Sequence, residues 1–286
     1  MAKIEIDLTT LQGWNQLDIG TYAITVGATA EGYTRILKSE PVNVYKDTSP
    51  APSVEPYLTF RSVNPFTFEI QNGTQNWDGL LEFSTDKTNW VSTWHGVGFI
   101  NAVSDGTYYN IYFRGTNNTV ITGDGGRAFV LTGTNVEIIG NIETLLDYQT
   151  VLNGNHPPMA SNCFQSLFYV YEHTAIISAP SLPATTLTTS CYASMFNGCV
   201  NLETLPALPA TTLASMCYAG MFGNCSKIKI SETQVDEYVN EYRIPITGTG
   251  TDASMAMFFM FNSTGGTFTS NPSINTTYYT SNQIIE

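Results

Sequence analysis

Five cysteines and three histidines are the residues of this chain best suited to metal binding or nucleophilic chemistry, and their spacing favours neither. Cys-x7-Cys occurs twice, at Cys191/Cys199 and Cys217/Cys225, whereas zinc sites use tighter pairs with further His or Cys partners. His95, His156 and His173 form no H-E-x-x-H and no pair at metal-ligand spacing, so each reads as a surface or turn residue. No G-x-S-x-G elbow supports a serine nucleophile. The glycines of TGDGGR at 122–127 suit a phosphate cradle, but no helix pattern comes after them, and a hairpin turn before a strand at 128–131 fits better. Asp236, Glu237 and Glu241 would reach the carboxylate separation of a glycosidase if they shared a helix face. A solvated helical stretch explains them with fewer assumptions. Asp105 and Asp124 precede glycines and mark turns, and no calcium-loop pattern is present. The expectation is a chain with no catalytic residues, no metal and no cofactor.

The cysteines gain a different meaning from the pattern around them. LPATTLTTSCYASMFNGCVNL at 182–202 is echoed by LPATTLASMCYAGMFGNCSKI at 208–228, at a fixed offset of 26 residues. Such a period predicts stacked coils, each burying its apolar face only against its neighbours. The expected repeat core is Cys163, Cys191, Met195, Phe196, Cys199, Leu202, Cys217, Met221, Phe222 and Cys225, with the cysteines acting as small apolar groups. Within one unit, SCYASMFNGC predicts a short helix stopped by Gly198, NLETL a strand, and LPALPATTL the return. Weaker echoes lie outside the clear units: NIETLL at 141–146, CFQSLFYVY at 163–171 and MFFMFN at 257–262. The repeat region therefore spans 133–286, with four or five coils and atypical ends. VDEYVNEYRIP at 235–245 interrupts it and carries most of its charge. If this region binds sugar, Tyr169, Tyr171, Tyr192 and Tyr218 are the stacking candidates, although Tyr192 and Tyr218 recur at the repeat period and equally suit a core ladder.

Upstream, residues 1–46 hold three strand-like runs, at 3–8, 21–28 and 35–45. LDIGTYAITVGATAEGYTRILKSEPVNVY resembles the last two strands of fibronectin- or immunoglobulin-like modules, with Tyr22 placed as a tyrosine-corner residue. A full sandwich takes ~100 residues, so this segment holds about half of one. Its open edges predict attachment to another subunit and a homo-oligomer. DTSPAPSVEP at 47–56 reads as a semi-rigid linker. Residues 57–132 give a small Ig-like β-sandwich with strands at 57–60, 66–70, 80–84, 98–103, 109–114 and 128–131. Trp77, Trp90 and Trp94 read as core anchors, with a sugar-stacking face as the alternative. STDKTNW at 84–90 resembles the Asp-box turn of sialidase propellers, but it occurs once and without an arginine triad, so its role here is structural. The fold class is mainly β, ending in a solenoid.

Charge and composition narrow the partners. Net charge is −13, only 12% of residues are charged, and Lys227, Lys229 and Arg243 are the only cationic residues after Arg127. Phosphate backbones need a basic stripe, so nucleic-acid binding is not expected, and an anionic membrane surface would repel the chain. No run approaches the ~20 apolar residues of a membrane span. MAKIEIDLTT lacks the apolar region of a secretory signal. A polar, weakly charged, aromatic-rich surface suits adhesins and virion proteins, and a chain with no export signal would leave the cell inside a virion released by lysis.

Two stretches carry a family resemblance. Met195-Phe196-Asn197-Gly198-Cys199-Val200-Asn201-Leu202, and again 221–228 with Ile228 in the leucine place, are similar to BspA-like leucine-rich repeats. Taken with LEFSTDKTNW, IYFRGTNNT, NIETLLD and GGTFTSNPSINTTYYTSN, the chain resembles virion proteins of gut bacteriophages of crAss-like type that infect Bacteroidales. The resemblance implies a non-enzymatic structural protein, as a head fibre, capsid decoration or tail-associated component. It would contact other virion proteins through its N-terminal segment and adhere to a host surface glycan or protein. A bacterial BspA-like surface adhesin is the alternative, and a glycan-degrading virion enzyme the third reading.

Overall fold

The computed structural model describes the backbone of residues 20–30 and 33–44, and residues 57–71, 77–93, 98–124, 129–169, 173–235 and 237–285 in full. Among the described residues the structure is mainly β, with 30% strand, 4% helix, several sheets and no barrel. Contacts divide it into two units, Met1–Ser53 and Val54–Glu286. In the first, β1 (Gly20–Ala30) and β2 (Tyr33–Val44) form an antiparallel hairpin that pairs Tyr22 with Val42. The run at 3–8, the linker at 47–56 and the side chain of Tyr22 lie outside the described residues.

The second unit begins with short alternating strands: β3 (Leu58–Ser62), β4 (Thr67–Ile70), β5 (Leu80–Ser84), β6 (Val91–Ser92), β7 (Ile100–Asn101), β8 (Val103–Ser104), β9 (Tyr109–Thr116) and β10 (Phe129–Thr132). In β3 and β4 every second side chain is buried, the period of a strand packed on one face. The strands form two facing sheets. One is ordered β10-β4-β7 and the other contains β3-β9-β5-β6. Phe68 and Phe129 from the first meet Phe60 and Phe113 from the second, with ring centroids 4.5 Å apart for Phe68–Phe113 and 5.4 Å for Phe60–Phe68. Trp77 is buried, Trp90 is half-buried beneath the Arg114 guanidinium, and Trp94 lies outside the described residues.

The larger sheet does not stop where the sequence suggests a boundary. Strand β11 (Val136–Ile139) pairs antiparallel with β3, and parallel with β12 (Ile176–Ser178) of the repeat region. One hydrophobic core then runs from Leu58 to Tyr278. The boundary expected at 132/133 is therefore crossed by both the sheet and the core. NIETLL, an echo of NLETLP in sequence, leads into the helix α1 (Thr144–Leu152), while its counterpart becomes β13 (Thr204–Pro206). Neighbouring residues account for the difference. Asn141 accepts the Glu143 N–H and Asp147 accepts the Thr150 N–H, which favours turning, whereas Pro206 and Pro209 forbid helix in the other copy.

The coils themselves depart from expectation in an informative way. SCYASMFNGC is not helical. It belongs to one of four runs of linked turns, at 161–168, 189–198, 215–224 and 254–263. In the first three runs odd-numbered N–H groups close turns on the carbonyl three residues back, as in Ala193→Ser190 and Met195→Tyr192. Even-numbered ones donate to the neighbouring run, as in Tyr192→Cys217, Ser194→Ala219 and Phe196→Met221. An α-helix would spend all these donors internally. Here half are left for the next coil, and the backbone accommodates this with a left-handed residue at every fourth position: Ser190, Ser194 and Gly198, then Met216, Gly220 and Asn224. Gly198, at φ +83°, is one member of this series rather than a helix stop.

Identical columns of side chains result from the ladder. Phe168, Phe196, Phe222 and Phe261 stack at 5.4, 5.8 and 5.7 Å, and Phe164, Tyr192 and Tyr218 at 5.6 and 6.0 Å. Each rung adds roughly 0.5–1.5 kcal/mol of net hydrogen bonding, comparable to the cost of a left-handed residue, about 1–2 kcal/mol. The start of the stack is closed by the β module, whose Thr122 and Phe129 N–H groups donate to the Cys163 and Leu167 carbonyls.

The far end is closed by the chain returning on itself. Short strands β14 (Thr212–Leu213) and β17 (Thr251–Asp252) pair parallel along one side. Strand β15 (Ile230–Ser231) leaves the parallel pattern and joins β16 (Asn240–Arg243) around β18 (Thr277–Thr280). The segment containing Glu237 and Glu241, expected to be helical, thus leads through a turn into a strand, and Asp236 lies outside the described residues. The last strand, β19 (Gln283–Ile285), pairs parallel with β13. Asn282 holds this closure: its side chain donates to the Glu203 and Lys227 carbonyls at 2.9 and 3.0 Å and accepts the Lys229 N–H at 2.7 Å.

Candidate functional site

A groove of about 670 Å³ runs over the strands β11, β12, β13 and β19 of the second unit. Strand alternation sets its chemistry. In β11, Val136 and Ile138 enter the core, leaving Glu137 and Ile139 on the outer face. Ile177, Glu203 and Gln283 occupy comparable outer positions on the neighbouring strands. The outcome is an aliphatic floor of Ile139, Ile177 and Ile285 flanked by charged groups.

Those charges are already engaged with one another. Arg61 Nε donates to Glu137 Oε2 at 2.7 Å and its guanidinium lies 4.6 Å from the Tyr108 ring centre. Lys227 Nζ donates to Glu203 Oε1 at 2.5 Å. The hydroxyls are committed as well. Ser178 bonds both the N–H and the carbonyl of Ile138, and Thr204 Oγ1 accepts the Ala179 N–H at 2.8 Å. Since each hydroxyl serves the backbone, none is set against a general base as a nucleophile. The arrangement suits non-covalent contact along an extended ligand.

The predicted repeat core is found where the period placed it: Cys163, Cys191, Met195, Phe196, Cys199, Leu202, Cys217, Met221, Phe222 and Cys225 are all buried. All five thiols are free. Burial pushes Cys191 up to about 11 and Cys217 up to about 12, and it raises Cys163, Cys199 and Cys225 as well. Among the described residues, no three His, Cys, Asp or Glu side chains are grouped to hold a metal ion, and no helix is long and apolar enough to cross a membrane.

The tyrosines divide. Tyr192 and Tyr218 are 1% exposed and stacked within the core, so they are corrected from sugar-stacking candidates to ladder residues. Tyr169 is exposed at the first turn run, and Tyr171 lies outside the described residues. Of the histidines, His173 is buried with Nε2 against the Leu131 backbone, and burial lowers its pKa. His156 Nδ1 lies 2.8 Å from Glu143 Oε2. Glu143 is almost fully buried, its Oε1 has no hydrogen-bond partner, and burial raises its pKa against the opposing pull of His156. His95 lies outside the described residues. The STDKTNW turn is structural: Asp86 accepts the N–H groups of Asn89 and Thr88 and the Asn89 amide, which hold its pKa far down.

Sequence reasoning missed the groove residues Glu137, Glu203 and Gln283. A signal was present, because Glu203 stands between the core positions Leu202 and Leu205 of NLETL. It became readable only once the strand register was known. Comparison with protein-family models, with curated proteins and with solved structures finds no match to this chain.

Proposed function

We propose that this chain is a non-enzymatic structural protein of a bacteriophage virion. It displays a leucine-rich-repeat domain of the BspA-like type, from a head-fibre, capsid-decoration or tail-associated position, for adhesion to a host surface glycan or protein. The β module of 57–132, read as a small Ig-like sandwich, seats the first coil, and the N-terminal segment attaches to other virion proteins.

The observation that carries this reading is the coil-to-coil ladder, in which Cys191 and Cys217, Tyr192 and Tyr218, and Phe196 and Phe222 occupy matching buried columns. A stack held in this way fixes its outward side chains in parallel rows, which is the requirement for an extended recognition surface. The mutual pairing of the groove charges, Arg61 with Glu137 and Lys227 with Glu203, supports display over catalysis. The acidic net charge of −13 supports a partner other than a polyanion. Mass spectrometry of purified particles tests the proposal: the chain should be present in stoichiometric amount in intact virions, and its absence would overturn the reading.

A further inference from the structure

A second surface lies on the turn runs rather than on the strands. The ladder places residues of successive runs in register, so that Gln165, Ala193, Ala219 and Phe258 form one outward column. Ser166, Ser194, Gly220 and Phe259 form the next, and Tyr169, Asn197, Gly223 and Asn262 a third. Side-chain size along these columns is uneven. In the first column it is large at Gln165 and Phe258 and small at Ala193 and Ala219, and the dip forms a trough of about 300 Å³.

Both ends of the trough carry recognition chemistry. At one end Phe259 is 51% exposed beside Phe258, with ring centroids 3.9 Å apart, and Met216 adds a further exposed apolar surface. At the other, Gln165 Oε1 is shielded from solvent and has no hydrogen-bond partner. Between them Asn197 is held in a fixed orientation, because Asn224 Nδ2 donates to its Oδ1 at 3.0 Å. A Cβ at Gly223 would stand 2.7 Å from Asn197 Nδ2, so glycine at that position is what admits the amide. The backbone alone does not require glycine at Gly220: Ser166 and Ser194 hold the same left-handed conformation in the same column. Its missing side chain opens the floor.

The lining contains amides, hydroxyls and aromatic rings and no charged side chain. A phosphate, sulfate or carboxylate would meet no cation there, on a chain of net charge −13. A sugar ring presents C–H faces for an aromatic and hydroxyls for amides, which matches both ends. Stacked rings of successive coils stand 5.4 to 6.0 Å apart, close to the length of one hexose. We infer that the trough binds a neutral oligosaccharide laid along the stack, with one ring against Phe259 and hydroxyls against the side-chain amides of Asn197 and Gln165. This rests on the adhesion reading above and assigns its ligand class and its surface, the turn face rather than the strand groove.

The test uses the full chain on an array of neutral oligosaccharides beside others that contain uronic or sialic acid, with titration of the best ligand. Phe259→Ala removes an exposed ring. Ala219→Gln fills the floor with the side chain that the same column already holds at Gln165, and thermal melting checks that both variants fold. Glu232→Gln, at an exposed position outside both grooves, is the control. The expected result is binding of neutral ligands, weakened on the order of tenfold by Phe259→Ala, abolished by Ala219→Gln and unchanged by Glu232→Gln. Binding confined to acidic glycans, no glycan binding, or trough variants that bind as the parent does would each overturn the inference. The two readings fail separately. A chain found in virions that binds no neutral glycan defeats this inference alone, and a neutral-glycan binder absent from virions defeats the virion proposal alone.

Discussion

Replacing Asn282 by alanine should unfasten the closed end of the stack. The side chain makes four hydrogen bonds: it donates to the carbonyls of Glu203 and Lys227 and accepts from the Lys229 N–H and the Thr280 hydroxyl. These partners lie on two coils and on the returning strand, and Asn282 itself is 7% exposed. Removing one side of a bond strands a buried partner at about 1–3 kcal/mol each. Water entering the vacated space recovers part of that, so the expected loss is about 3 kcal/mol. For a unit of this size, that lowers the melting temperature by about 6–12 °C. Urea unfolding followed by circular dichroism gives the total, and hydrogen exchange gives the location, because the Lys229 amide should lose its protection before amides of the β module. Asn282→Asp should also destabilise, since a carboxylate cannot donate to two carbonyls. If Asn282→Ala costs less than about 1 kcal/mol, or if Lys229 stays protected, the closure does not depend on this residue.

Further outcomes concern the core and its charges. Phe222→Ala, at a fully buried ring between Phe196 and Phe261, should cost about 3–5 kcal/mol in urea unfolding and break the ladder at its centre. Glu143→Gln keeps the His156 contact while removing a buried charge. Because folding raises the Glu143 pKa, its favourable contribution is full below the ordinary carboxylate range and fades as pH rises through the folded value. The variant should therefore gain stability relative to the parent between about pH 4 and 7, and a flat difference in melting temperature across that range would refute the assignment. All five thiols should resist iodoacetamide at pH 8 until urea is added, as counted by intact mass. Lys227→Ala should change stability by less than about 1 kcal/mol, since its pair with Glu203 lies at the surface.

Much of the architecture was legible from residue pattern alone. The strand at 80–84 was placed as observed, and the others of the β module fell within a few residues, because alternation such as TFEI directly encodes one-sided burial. The repeat located the buried columns from Cys163 to Cys225, since stacking demands the same residue type at the same height. What failed was the local conformation. SCYASMFNGC carries helix-forming residues, yet its donors are shared with the next coil, and that competition is invisible within a single unit. The same blindness affected Tyr192 and Tyr218, whose polar hydroxyls suggested a surface role while their recurrence signalled a column. NIETLL takes another form from its echo because it lacks the prolines that decide its counterpart's fate.

The intervals between stacked phenylalanines have their own consequence. From Phe168 to Phe196 is 28 residues, to Phe222 another 26, and to Phe261 another 39, yet the rings remain 5.4 to 5.8 Å apart. The turn runs fix the pitch and the connecting corners absorb any excess chain, as the 13 additional residues before the last run demonstrate by folding into a strand of their own. Such a scaffold separates what must stay constant from what is free to change. New loops can be grafted at the corners, lengthened or exchanged, without disturbing a single rung.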